Sequence, residues 1–298
     1  MSVVIGVVSM GLTTPSTPFD VAAVFPELAS QRKTTVRLHP RRGRPATTDS
    51  SIGGPLLWPA DEPWPVCPEP LTHDPSEGWD PLPLVPVMQL FAGDVPELPF
   101  PDDTDTLQVL WCPLDHEPYF QPHTIVRWRK TEAVGSLLIE APVPDPDSDD
   151  SYLPTACVLS PERVEEYPAG WGLPAELRER IWAWEEDFPN PDDWSYFDHP
   201  SSAPGSKVSG WVRWIQDPVQ VECGKGHEMA HLLTIASREF DIETGKRWAP
   251  IEERPLPPHA PSEILYPADL VIQDAGSLYL FVCLECPERP VDSLSQGS

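Results

Sequence analysis

Four residues in the last third of the chain have the types and the spacing of a metal site. Cys223 and His227 are separated by three residues, and Cys283 and Cys286 by two. Thiolate sulfur and imidazole nitrogen are ligands that zinc takes in proteins, and Cys-x2-Cys lets two sulfurs reach one ion. Four protein ligands leave no open coordination position, so the pattern predicts a closed, structural zinc site. The alternatives are buried free thiols, which pack as small apolar groups, or a disulfide.

The same stretch carries a second pattern with metal chemistry. Residues 227–231 read His-Glu-Met-Ala-His. On a helix, two histidines four residues apart chelate one zinc ion while the glutamate acts as a general base. The alternative function is therefore a zinc metallopeptidase that uses His227, Glu228 and His231. Two glycines just before the segment disfavour a helix, and in a strand residues four apart lie about 13 Å from each other, too far to share one ion.

The remaining sequence excludes several functional classes. The chain has no G-x-S-x-G elbow, no P-loop and no G-x-G-x-x-G turn. Its 47 acidic and 20 basic residues give a net charge of -27. This charge disfavours nucleic acid as a partner and favours a basic protein or peptide client.

The sequence also predicts where the protein works. No apolar run reaches the roughly 18–20 residues that a membrane span needs, so no membrane partner is expected. The first ten residues lack the basic region and the cleavage site of a signal peptide, with Met10 as an alternative start to Met1. Six cysteines among 298 residues are too few for a disulfide scaffold. We therefore expect a cytoplasmic location.

Proline shapes the predicted fold. It supplies 41 of the 298 residues, about 14%, against a usual ~5%. Proline breaks helix interiors, which excludes a helical bundle. Helical spacing of apolar residues predicts one good helix over 174–188 and a weaker one over 19–29, interrupted by Pro26. Short β-branched and aromatic runs bounded by Pro, Gly and Asp predict strands, at 84–91, 107–111, 124–128, 232–236 and 278–283.

The chain resembles itself, element by element and in the same order. The matching pairs are Gly54 with Gly210, Trp58 with Trp214, Cys67 with Cys223, residues 86–94 with 231–239, and residues 106–112 with 277–283. Agreement of several elements in sequence is typical of an internal repeat. The predicted fold class is α+β and β-rich, with two related β-sheet halves from an internal duplication, few short helices and long Pro-rich loops.

The repeat and the uneven charge divide the chain into five predicted parts. These are residues 1–47 (an N-terminal segment with a short helix and a basic stretch), 48–140 (the first β-rich half), 141–203 (an acidic, Pro-rich connector with helix 174–188), 204–290 (the second β-rich half with the Cys/His cluster) and 291–298 (a C-terminal tail). Two interpretations of the basic stretch, residues 31–45, stay open: a solvated segment that leads into the fold, or a surface patch that binds an anionic ligand. Residues 140–200 hold sixteen acidic residues and three arginines, a net charge of -13.

The first half keeps only part of the metal-binding pattern. Cys67 and Cys112 match Cys223 and Cys283, but Asp115 stands where the second half has Cys286. Two histidines are close in sequence, His73 and His116. Two interpretations stay open: a second zinc site, or a copy that has lost its ligands.

Three segments of the first half, SSIGGPLLWP, VMQLFAGDVPELPFP and LQVLWC, resemble the YwqG-like bacterial domain family. That family has a Ser-Lys-Ile-Gly-Gly turn, a Trp-Pro and patterned strands. The second half is similar to the eukaryotic programmed-cell-death-2 and Tsr4 proteins, through Cys223, the segment 229–234 and the strand 278–283. Val208 and Ser209 replace the Ile-Gly of the turn, and Thr234 replaces a Gln. The resemblance covers roughly residues 48–115 and 204–290.

The resemblance implies binding of a polypeptide and implies no catalysis. The eukaryotic relatives are dedicated chaperones of a ribosomal protein, and some bacterial members are suspected of immunity roles beside secreted toxins. Together with the charge and the missing catalytic motifs, it predicts a non-enzymatic protein-binding module with a basic client. A structural assembly component is a third hypothesis. The twelve tryptophans are interpreted mainly as core, with some lining a partner groove.

Overall fold

The computed structural model describes residues 11–67, 82–117, 119–146, 148–188, 194–256 and 261–297. The strands within these ranges are β1 Lys33–Arg37, β2 Arg41–Arg42, β3 Ser51–Ile52, β4 Val85–Phe91, β5 Thr106–His116, β6 Gln121–Arg129, β7 Cys157–Val158, β8 Glu162–Glu166, β9 Lys207–Val208, β10 Ala230–Ala236, β11 Ser277–Val282 and β12 Val291–Gln296. The α-helices are α1 Val21–Val24, α2 Ala175–Glu185, α3 Ile242–Trp248 and α4 Ser262–Leu265, and 3-10 turns lie at Pro26–Gln31, Thr131–Ala133, Asp150–Tyr152, Gly170–Gly172 and Ile251–Glu253.

The strands form two six-stranded sheets in which every ladder is antiparallel. Sheet 1 has the order β2-β7-β3-β4-β5-β6, and sheet 2 has the order β8-β1-β9-β10-β11-β12. The predicted α+β, β-rich fold is confirmed, and each of the five predicted strands is present. Among the described helices none is long and apolar enough to cross a lipid bilayer.

The two sheets match strand by strand. β3 corresponds to β9, β4 to β10, β5 to β11 and β6 to β12. A bulge falls between Pro86 and Met88 of β4 and between His231 and Leu233 of β10, which are the positions that the sequence repeat pairs. The predicted pairing of 86–94 with 231–239 therefore holds in the register of the sheets.

The predicted boundaries between the halves need correction. β1 and β2 both come from the predicted N-terminal segment, yet β1 lies in sheet 2 and β2 at the edge of sheet 1. The predicted connector contributes β7 to sheet 1 and β8 to the edge of sheet 2, and the predicted tail forms β12. The predicted N-terminal segment and the predicted connector therefore each contribute one strand to each sheet.

One apolar core joins the two sheets. It combines residues of sheet 1, such as Val87 and Val109, with residues of sheet 2, such as Leu233 and Leu280, all fully buried. β6 and β12 also meet, where the side chain of Gln121 donates to the carbonyl oxygen of Ser293 (3.0 Å). The two halves therefore form one folded unit.

Helix α2 packs away from this core on a separate apolar cluster. Leu177 and Ile181 point into that cluster with the N-terminal α1 and the 3-10 turn that follows it. The predicted helix over 174–188 is confirmed over Ala175–Glu185. The weaker predicted helix over 19–29 splits at Pro26 into α1 and a 3-10 turn, because proline cannot donate the backbone hydrogen bond that would continue α1.

Part of the basic stretch lies inside the fold, while Arg42 and Arg44 are exposed. Its centre is β1, and Arg37 there is 1% exposed and donates to the hydroxyl of Thr14 (2.7 Å) and the carbonyl oxygen of Trp248 (2.8 Å). Arg41 forms a two-pronged ion pair with Glu253 (2.6 Å for each contact). Both arginines form charge-assisted contacts inside the protein, which connect β1 and β2 to segments distant in sequence.

A buried ion pair joins β8 and β9 of sheet 2. The ammonium group of Lys207 donates to both carboxylate oxygens of Glu166 (2.8 and 3.1 Å) and to the carbonyl oxygen of Trp211 (2.6 Å). Neither side chain exceeds 1% exposure. Glu166 also accepts from the backbone N–H groups of Ala203 (2.6 Å) and Trp211. The charges are therefore paired and hydrogen-bonded, as burial requires.

Candidate metal centre and the groove beside it

The four predicted metal ligands come from two turns at one end of sheet 2. Cys223 and His227 close a tight turn in which the backbone N–H of Cys223 donates to the carbonyl oxygen of His227 (2.9 Å). Gly226 permits this turn, since its φ of +79° lies in the left-handed region. Cys283 follows the last residue of β11, and Cys286 lies in the turn that leads to β12.

The structure brings all four ligand atoms together. They lie within 4.8 Å of one another, and Nδ1 of His227 is 3.6 Å from the sulfur of Cys283 and 3.4 Å from that of Cys286. Zinc bonds of 2.0–2.3 Å in a tetrahedron place ligand atoms about 3.4–3.8 Å apart. The four side chains can therefore hold a metal ion.

The electrostatics of the cluster suit a cation. Backbone N–H groups, first that of Lys225, lower the pKa of the Cys223 thiol to about 7. Burial, followed by hydrogen bonding to Cys283 and Cys223, raises the pKa of Cys286 to about 11. On the outer side, Nε2 of His227 is 3.8 Å from a carboxylate oxygen of Glu285.

The metallopeptidase geometry is not present at residues 227–231. His227 lies in the turn and faces the cysteines, whereas His231 lies in strand β10. His231 is held by the carbonyl oxygen of Ser209 at Nδ1 (3.0 Å) and by the hydroxyl of Thr234 at Nε2 (2.9 Å). Since a carbonyl only accepts, Nδ1 carries the proton and Nε2 accepts from Thr234. Both nitrogens of His231 are thus engaged away from the metal cluster.

Two buried histidines predict a pH dependence of stability. Burial lowers the pKa of His231 to about 3 and that of His39 to about 4, from about 6.5 in the unfolded chain. Folded pKa values below the unfolded value mean that stability is complete above pH 6.5 and is lost as the pH falls. We expect each histidine to remove up to about 1.4 kcal/mol per pH unit below pH 6.5.

Denaturant unfolding at pH 7 and at pH 5 checks this expectation. The variant His231→Gln cannot titrate, so it should lose less stability between the two pH values than the wild type does. Equal losses in the two proteins would contradict the assignment of a neutral, buried His231.

The first half also brings metal-ligating side chains together. Cys67, Cys112 and His116 are all buried, and their ligand atoms lie within 4.8 Å of one another. Asp115, which stands at the position of Cys286, instead accepts a hydrogen bond from the hydroxyl of Tyr152 (2.5 Å). His73 lies outside the described residues.

A groove of about 970 Å³ opens beside Cys223, His227, Cys283 and Cys286, the group of candidate ligands that we call the metal cluster. It exists because β9 has only two residues. Ser209 (φ 60°) and Gly210 (φ 77°) turn the chain out of sheet 2 after Val208. β9 pairs with β1 and with β10 only at Lys207 and Val208. Beyond Val208 no strand of the described ranges lies between β1 and β10, so the sheet is open there.

Aromatic and aliphatic side chains line the groove. Its lining includes Trp171, Trp211, Trp214, Val219, Met229, Phe281 and Leu284. Three of these are open to solvent, with exposed fractions of 65% for Trp171, 44% for Val219 and 48% for Leu284. Trp211 and Trp214 line this groove, while Trp58 and Trp111 are core residues.

The metal cluster and the groove share a wall. Met229 and Phe281 pack against the cysteines and also line the groove. Leu284 and Glu285, the two residues between Cys283 and Cys286, lie on the groove surface. A change at the metal cluster therefore reaches the groove through direct contacts.

Sequence reasoning missed Trp171 and Lys33 as groove residues. Lys33 lies at the exposed end of β1 with its ammonium group 3.6 Å from the ring centre of Trp211. Trp171 reaches the groove from the 3-10 turn before α2. Lys33 and Trp171 lie at the groove because segments distant in sequence pack together. The sequence around each residue does not indicate this position.

Comparison with known proteins adds no relative. No protein-family model matches the chain, and no curated protein matches it. The resemblance to the YwqG-like family and to its eukaryotic relatives therefore stays a prediction.

Proposed function

We propose that this protein is a cytoplasmic, non-enzymatic protein-binding module, chaperone- or immunity-like, that binds an extended basic segment of a client. The observation that carries the proposal is the groove of about 970 Å³ with an aromatic lining beside the metal cluster. In this proposal the ion held by Cys223, His227, Cys283 and Cys286 is zinc, and its role is structural.

The lining of the groove supports binding of a polypeptide. Exposed aromatic and aliphatic groups such as Trp171, Val219 and Leu284 offer apolar surface that a client can cover. Tryptophan supplies much of the binding energy at protein interfaces because it buries a large, rigid surface. A groove that follows the end of a two-residue strand suits an extended segment better than a compact ligand.

Charge supports a basic client. The charged residues that line the groove are Lys33, Glu97, Glu228 and Glu285. Glu97 is paired with Arg163, whereas Glu228 and Glu285 are solvent-exposed. The whole chain carries a net charge of -27. This charge accelerates the approach of a cationic client, and added salt weakens the attraction.

The metal chemistry supports a structural role. Two thiolates are soft ligands that favour zinc, and a third thiolate with an imidazole completes a four-ligand site. With four protein ligands no position remains for an activated water, so the site adds stability and does not supply a catalytic centre.

The test compares two variants that add the same charge at different places. The probe is a fluorescent, unstructured peptide that alternates lysine and leucine, with the matching glutamate–leucine peptide as its control. Val219→Arg puts a cation inside the groove, and Ile139→Arg puts one at a 94% exposed site outside the residues that line it.

We expect Val219→Arg to weaken binding of the lysine peptide at least tenfold, while Ile139→Arg changes it less than twofold. We also expect the affinity of the wild type to fall as salt rises. Equal effects of the two variants, or preference for the glutamate peptide, would contradict the proposal.

A further inference from the structure

We propose that the first half holds a second metal ion, bound by Cys67, Cys112 and His116. The ligand class, two thiolates and an imidazole, fits Zn²⁺. The site lies on sheet 1, and its ligands are separate from those of the second-half site, so the two can be tested one at a time.

The backbone around Cys67 repeats the backbone around Cys223. Val66 forms an isolated bridge with Pro83, as Glu222 does with Glu228. The N–H of Cys67 donates to the carbonyl oxygen of Leu82 (2.8 Å), as the N–H of Cys223 does to that of His227 (2.9 Å). In each half, therefore, the same bridge and the same backbone hydrogen bond hold the segment that carries the cysteine.

The apolar surroundings of the two clusters also correspond. Around Cys67 and Cys112 pack Leu56, Trp58, Leu84 and Leu110, and around Cys223 and Cys283 pack Val212, Trp214, Met229 and Phe281 at the positions paired by the repeat. The whole environment of the metal cluster is present twice.

The ligand set is rearranged in the first half. Leu82 takes the place of His227 in the hairpin and is buried among apolar groups. The imidazole comes instead from His116, the last residue of β5, four residues after Cys112. The pairing of β5 with β6 is irregular between Trp111 and Asp115, so the side chains of Cys112 and His116 come together, whereas in a regular strand residues four apart lie about 13 Å from each other. This position lies next to Asp115, the counterpart of Cys286 in the repeat. The first half therefore loses two of the four ligands and gains one, which leaves three.

The distances fit a shared ion. The sulfur of Cys67 is 3.6 Å from Nε2 of His116, within the roughly 3.4–3.8 Å expected between ligands of one tetrahedral zinc ion. All three ligands are nearly inaccessible, with exposed fractions of 3% for Cys67, 0% for Cys112 and 5% for His116. Such burial favours a structural ion, because substrate has no access.

Counting zinc on the full chain tests the proposal. Protein purified without chelator and under reducing conditions is measured by elemental analysis and by native mass spectrometry. The variants are Cys67→Ser for the first site, Cys286→Ser for the second and Cys157→Ser as a control. Cys157 is a fully buried thiol of the main core, outside both clusters.

We expect two zinc ions per chain in the wild type and in Cys157→Ser, and one in each of the other two variants. A wild type with one ion, which Cys67→Ser keeps and Cys286→Ser loses, would overturn the proposed site at Cys67, Cys112 and His116 and leave the site at Cys223, His227, Cys283 and Cys286 intact. A wild-type mass lower by two hydrogens, with Cys67 linked to Cys112, would overturn it in favour of a disulfide. The number of zinc ions in the wild type, two or one, tests the proposal even if Cys67→Ser fails to fold.

Discussion

Replacing Lys207 by methionine is expected to lower the free energy of unfolding by about 3–5 kcal/mol. The change leaves the carboxylate of Glu166 buried in sheet 2 without its cation. Chemical denaturation of the wild type and of Lys207→Met measures the loss.

Two further variants make this prediction specific. Adding Glu166→Gln to Lys207→Met removes the unpaired charge and should recover a large part of the loss, since an amide oxygen can still accept from Ala203 or Trp211. Lys246→Met breaks an exposed ion pair with Glu243 and should cost under about 1 kcal/mol. Similar losses for Lys207→Met and Lys246→Met would contradict the role of the buried pair.

Removing bound zinc with a chelator is expected to destabilise the protein and to weaken peptide binding in the groove together. An ion held at a thousand times its dissociation constant stabilises the folded state by about 4 kcal/mol. A chelator should therefore lower the midpoint of thermal unfolding by roughly 10 °C. Because Met229 and Phe281 touch both the cysteines and the groove, binding of the lysine peptide should fall as well.

Adding zinc back after chelation is the control, and it should restore both properties. Unfolding midpoints and peptide affinities that do not respond to chelator or to zinc would contradict a structural ion. Loss of stability with unchanged peptide affinity would separate the metal site from the groove.

The sequence predicted the metal cluster because its signals are local. The spacing of Cys223 to His227 and of Cys283 to Cys286 is read directly from the chain, and the repeat placed both pairs at the ends of neighbouring strands. The strands of the main core were predictable for a similar reason, since runs such as Leu278–Val282 are continuously apolar and bounded by turn residues.

The groove and the exchange of strands between the halves were not predictable in this way. β1 reads as Lys-Thr-Thr-Val-Arg and β8 as Glu-Arg-Val-Glu-Glu, and charge of this kind is typical of a solvated segment. Both become strands because each pairs with the other, Lys33 with Glu166 and Arg37 with Glu162, far apart in the chain. Arg37 donates hydrogen bonds to Thr14 and Trp248, and Glu166 is ion-paired with Lys207. Long-range pairing of this kind leaves no trace in a local window.

The zinc content of two variants tests the central claim most directly. Elemental analysis is done on wild type, Cys286→Ser and His231→Ala, all purified without chelator. We expect Cys286→Ser to lose one zinc ion per chain and His231→Ala to keep the wild-type number. Zinc kept in Cys286→Ser and lost in His231→Ala would contradict a structural site at the cysteines and point to the peptidase pattern at 227–231.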